Sequence, residues 1–83
     1  MNSRVEKVVC VDKSNLEITF KNGEVKLFDV ALYFDYPVYE ELKDEVFFRK
    51  AHVLNGTVAW DEYIDFDPDI LYHEGKEFIK GDF

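Results

Sequence analysis

Five carboxylates stand within nine residues of this 83-residue chain: Asp61, Glu62, Asp65, Asp67 and Asp69, in the run TVAWDEYIDFDPD. Acids at that density have two chemical uses. They can gather round a divalent cation, or two of them can work as an acid–base pair. A calcium loop of the EF-hand type wants oxygens at its first, third and fifth positions, glycine at the sixth and glutamate at the twelfth. Counted from Asp65, Asp67 and Asp69 satisfy the first part, but the sixth position is Ile70 and the twelfth is Lys76. Pro68 points to a plainer use. Asp67 can cap a helix N-terminus, Pro68 can take the first helical position, where its missing N–H costs nothing, and Asp69 meets the positive end of the dipole. The run is therefore expected to start a helix, and neither a metal nor any other cofactor is assigned to it.

The remaining reactive side chains do not form a constellation. His52 and His73 are twenty-one residues apart, which matches no zinc spacing. Cys10 is the only cysteine and lies in the apolar run VVCV, so a packed thiol is expected rather than a nucleophile or a disulfide partner. A pair such as Asp65 and Asp67 would need a pocket that a chain this short rarely builds. There is no glycine-rich phosphate loop. No catalytic residue is assigned, and the chain is expected not to be an enzyme.

The elements that must carry these residues follow from two Asn-Gly pairs. Asn22-Gly23 separates LEITFK from EVKLFD, both with alternating apolar residues. A two-residue turn, with both central residues at positive φ, would set Lys21 against Glu24, Phe20 against Val25 and Ile18 against Leu27. Asn55-Gly56 joins KAHVL to TVAW and would set Leu54 against Thr57 and Val53 against Val58, with Trp60 on the Val58 face in the core. Ahead of the first hairpin, Val5 to Val11 reads as a strand that turns through Asp12 to Asn15. Between the hairpins, Pro37 opens one or two short helices, with Val38, Leu42 and Val46 at a spacing of four and Tyr39 three before Leu42 as an apolar stripe. The expected fold is α+β: a three-stranded antiparallel meander, short helices, a two-stranded hairpin and a short C-terminal helix. One domain is expected over residues 1–72, with 73–83 as a loosely ordered tail carrying two glycines and little periodicity.

Charge narrows the partners. Residues 1–28 hold five basic and four acidic side chains, whereas 29–83 hold five basic and fourteen acidic. A surface with a net −8 repels phosphate backbones, so direct nucleic-acid binding is not expected, and a basic protein is the complementary partner. The same acidity also serves solubility. Neither a signal region nor a membrane-length apolar run is seen, which points to the cytoplasm. Aromatic residues make up 17% of the chain, more than a small core requires. Tyr33, Tyr36, Tyr39 and Tyr63 are thus either partly buried or part of a contact surface. Tyr36, Tyr39 and Tyr63, together with Glu40 and Glu41, are the candidate partner-binding residues. A homodimer is a further arrangement the composition allows.

The order of these signals resembles a small bacterial family, the domain of unknown function numbered 2442. The matching residues are Leu16, Phe20, Asn22-Gly23-Glu24, Phe28-Asp29, Leu42, Phe48, Val53, Trp60, Asp65, Asp67-Pro68-Asp69 and Leu71-Tyr72, spanning about Val8 to Tyr72. The chain departs from the pattern at Tyr63, where a glycine is expected. The resemblance implies an α+β fold, a bacterial or phage setting and no assigned catalytic residues. Some relatives are fused to a helix-turn-helix domain, and many resemble proteins encoded beside a second small protein in a toxin–antitoxin-like pair. Taken together, these signs lead to an acidic, non-catalytic module for a protein partner. The alternative is a small-ligand or metal-sensing domain related to helix-turn-helix regulators.

Overall fold

Alternating apolar residues drive the N-terminal half into strands. In the computed structural model, which describes residues 4–77, β1 (Val5–Cys10), β2 (Asn15–Phe20) and β3 (Val25–Asp29) form an antiparallel meander. Two 3-10 helices (Val30–Tyr33 and Pro37–Lys43) and the single-turn α1 (Glu45–Phe48) follow. The hairpin β4–β5 (His52–Leu54, Thr57–Ala59) comes next, then α2 (Pro68–Glu74) and a two-residue strand β6 (Lys76–Glu77). The fold is α+β, with a four-stranded sheet in the order β1-β2-β3-β6 and a separate two-stranded sheet.

The first hairpin does not close with a two-residue turn. Thr19 pairs with Val25, Ile18 with Lys26 and Leu16 with Phe28, one step away from the expected register. The loop holds three residues, Lys21 to Gly23. Gly23 N donates to Phe20 O at 2.9 Å, Phe20 N donates to Glu24 O at 2.8 Å, and only Gly23 takes positive φ, +92°. Asn22 is not left-handed; its Oδ1 accepts from Glu24 N at 2.9 Å. Both loop lengths are compatible with Asn-Gly, and a one-residue change swaps faces. Ile18 and Leu27 therefore lie on opposite faces of the sheet, and Lys21 forms no ion pair with Glu24.

What the shift brings inward is Lys26. Its ammonium donates to the Tyr72 carbonyl at 2.6 Å and sits 4.0 Å from the centre of the Tyr72 ring. A lysine thus bonds a carbonyl in the last turn of α2, where helices leave acceptors without intrahelical partners. Leu16, Ile18 and Phe20 of β2 are buried on that same face. The opposite face carries Thr19, Val25 and Leu27, all partly exposed.

The second hairpin closes as its sequence requires. Asn55 and Gly56 have φ of +53° and +79°, and His52, Val53 and Leu54 pair with Ala59, Val58 and Thr57. Its turn is stitched to the meander: Gly56 O accepts from Val5 N at 2.8 Å and Asn55 O from Arg4 Nη1 at 2.9 Å. β5 is buried throughout because residues 64–66 return along it: Phe66 N donates to Val58 O at 3.1 Å and the Thr57 hydroxyl to Phe66 O.

The stripe of Val38, Leu42 and Val46 is realised only in part. Leu42 is fully buried, but Val38 and Val46 are 56% and 74% exposed. Of the expected stripe, Tyr39 and Leu42 do face inward, because Pro37–Lys43 winds as a 3-10 helix with a period of three, whereas Val46 lies beyond it in α1. The C-terminal boundary also differs from expectation. His73 and Glu74 complete α2, and Lys76 and Glu77 pair with Leu27 and Lys26 of β3. Ordered structure therefore continues past residue 72 as far as 77, and the rest of the expected tail, 78–83, lies outside the described residues.

Candidate functional site

Two carboxylates of the acidic run, Asp61 and Asp67, are taken up by the backbone. Asp61 Oδ1 accepts from Tyr63 N and Ile64 N, both at 2.8 Å, fixing the turn between Trp60 and Ile64. Tyr63 has no positive φ, so this turn does not need a glycine there. Asp67 caps α2 by accepting from Asp69 N at 2.8 Å, with Pro68 in the first turn. Among the described residues, no three His, Cys, Asp or Glu side chains gather as a metal-binding group. Cys10 is half-buried, donates to the Phe48 carbonyl at 3.6 Å, and has its thiol pushed up by burial against a smaller opposing pull from Arg49. His52 is exposed, its Nδ1 2.9 Å from Lys50 O, and His73 is exposed on α2.

Trp60 is buried, 3% exposed, and its indole N–H donates to the Phe48 carbonyl at 2.7 Å. The tyrosines divide into core and surface. Tyr39 stacks on Phe66 at 4.5 Å with planes 7° apart, and its hydroxyl donates to Asp65 O at 3.2 Å. Tyr33 joins the rings together. It lies 5.5 Å from Phe28, 5.2 Å from Phe66, 6.0 Å from Tyr36 and 6.2 Å from Tyr39. Its hydroxyl donates to Glu74 Oε1 at 2.5 Å. Burial first and the Glu74 carboxylate second push its pKa up to about 12.

Outward from this cluster, Tyr36 is 57% exposed, Val38 56% and Leu32 74%. Glu40 and Glu41 are exposed on the same 3-10 helix as Tyr39, and neither has an ion-pair partner among the described residues. Tyr36, Tyr39, Glu40 and Glu41 are neighbours along this segment, with Tyr36 exposed and Tyr39 packed on Phe66. Tyr63, 79% exposed on the Trp60–Ile64 turn, shares no ring contact with them. Sequence reasoning gave Tyr33 no individual place in the site. The available signal was VALY directly behind Asp29, whose Oδ1 accepts from Ala31 N at 3.0 Å and starts the first 3-10 helix.

The fold is that of a small α+β domain. Residues 5–77 match the family described as "Protein of unknown function (DUF2442)", and the chain belongs to that family. The match extends at both ends beyond the stretch that the sequence motifs cover. No curated protein and no solved structure matches the chain. Among the described residues, no helix is long and apolar enough to cross a membrane.

Proposed function

We propose that this domain is a non-catalytic binding module for a basic protein surface, acting in the cytoplasm as the acidic half of a two-protein system of the toxin–antitoxin kind. The observation that carries this reading is the exposure of Tyr36 and Val38 on the segment that also exposes Glu40 and Glu41. A rigid aromatic ring and an exposed valine provide contact area, and unpaired carboxylates on the same segment attract a cation-rich partner. Because Tyr39 is committed to Phe66, Tyr36 is the anchor and the two glutamates steer.

Capture of the partner from the native host, followed by surface-plasmon kinetics, tests the reading. Association slows as salt rises, and it slows again when Glu40 and Glu41 are both changed to Lys. Tyr36→Ala instead speeds dissociation. An association rate indifferent to both salt and the double charge reversal would overturn the proposal.

A further inference from the structure

A cavity of about 300 Å³ opens beside the tyrosine cluster, where β3 meets β6 and the first 3-10 helix. That volume lies at the small end of ligand sites and suits one long side chain better than a cofactor. Leu27 supplies apolar wall, and Leu32 stands at the same cavity with 74% of its surface in water. A leucine that exposed contributes little to the fold it belongs to. Asn15 and Tyr33 also line it, and so do two carboxylates, Asp29 and Glu74. Each is held by one oxygen: Asp29 Oδ1 accepts from Ala31 N, and Glu74 Oε1 accepts from the Tyr33 hydroxyl. Among the described residues, the second oxygen of each has no hydrogen-bond partner. Lys76 also lines the cavity and makes no ion pair among the described residues, so the lining carries one negative charge in excess.

We infer that this cavity receives one arginine side chain of the basic partner. The aliphatic stem lies against Leu27 and Leu32, and the guanidinium reaches the open oxygens of Asp29 and Glu74. Arginine suits the site better than lysine because a planar fork of donors can serve two fixed acceptors at once. Lys76 opposes the incoming charge and sets a ceiling on affinity. The inference rests on the basic-partner reading above and specifies one contact within it.

The test uses the isotope-labelled protein and Nα-acetyl-arginine amide, followed by amide chemical shifts, with the citrulline analogue as neutral control. Saturable shifts are expected at Leu27, Leu32 and Glu74, with a dissociation constant on the order of a millimolar for so small a ligand. The citrulline analogue leaves those amides unmoved. Glu74→Gln, which keeps an acceptor for Tyr33, weakens binding by about two- to five-fold, and Lys76→Gln tightens it by a similar factor. An unsaturable response, an equal response to citrulline, or the same sign of change in both variants would overturn the inference. Its failure is separable from failure of the partner reading. Salt-sensitive association with the captured partner that ignores Glu74→Gln sinks the arginine pocket alone. Salt-indifferent association sinks the partner reading, while a saturable arginine titration still supports the pocket.

Discussion

Trp60 and Phe48 are joined by a hydrogen bond of 2.7 Å from the indole N–H to the main-chain carbonyl, with their rings 5.9 Å apart. The bond ties the end of α1 to the residue that follows β5, and the same carbonyl accepts from Ala51 N at 3.3 Å. Trp60→Phe keeps an aromatic ring but removes the donor. It is expected to cost about 1–3 kcal/mol, the penalty for weakening the satisfaction of a buried polar group and leaving unfilled volume. Urea unfolding followed by circular dichroism measures it, and an unchanged midpoint would contradict this role.

The two left-handed glycines should respond differently to a methyl group. Gly23 has φ +92° with nothing within 4 Å of an added Cβ, so Gly23→Ala costs only the conformational term, about 1–2 kcal/mol. At Gly56, φ +79°, the same methyl would meet Arg4 Nη1 at 2.5 Å and Cδ at 2.8 Å. Gly56→Ala is therefore the more damaging until Arg4→Ala is added, after which the extra cost disappears. Thermal melts of the four variants, the Arg4→Ala single included, decide it; additivity of the Arg4 and Gly56 changes would show that the guanidinium does not press on the turn.

Asp67 is a cap, and its contribution is local. Asp67→Ala should cost about 1 kcal/mol and Asp67→Ser much less, because serine offers an oxygen to the same N–H groups. Neither value should depend on calcium or magnesium. A rise in melting temperature on adding either ion, abolished by Asp65→Ala, would restore the metal reading of the acidic run.

Tyr33 makes stability depend on alkaline pH. Burial and the Glu74 carboxylate favour its neutral form, so its folded pKa of about 12 exceeds the ordinary value of 10. The contribution is complete below pH 10 and is lost as pH rises toward 12. Tyr39, through burial, and Tyr72, through a hydrogen bond with Glu24, are raised in the same direction, so the readout is a difference. Tyr33→Phe should flatten the fall of the denaturation midpoint over that range and remove the highest-pH step from the phenolate absorbance titration. Identical pH profiles for the two proteins would refute the assignment.

Local chemistry made much of this fold legible. Asn55-Gly56 admits a tight turn with both residues left-handed, and the apolar pattern on either side then allows one register. Asp67-Pro68 has the same local character, since the cap, the proline and the dipole all act within one turn. Trp60 was placed in the core by its phase with Val58. At Asn22-Gly23 local chemistry was not enough. Two and three-residue loops both accept that pair, and the register adopted is the one that turns Phe28 into the core and lets Lys26 reach the Tyr72 carbonyl forty-six residues away. The helix stripe failed in part for a related reason. The chain winds as a short 3-10 helix and then a separate α turn, so a spacing of four leaves Val38 and Val46 exposed while Tyr39 and Leu42 meet the core. The strand at Lys76–Glu77 has no periodicity to read in two residues, and it forms because α2 delivers it to the edge of β3. The cavity between Leu32, Asp29 and Glu74 is likewise absent from any window of the sequence. Its walls come from β2, β3, the first 3-10 helix, α2 and β6, and only their packing brings two carboxylates to one recess beside Leu27 and Leu32. What neighbouring residues decide among themselves could be read in advance; what depends on contacts across the whole chain had to await the tertiary structure.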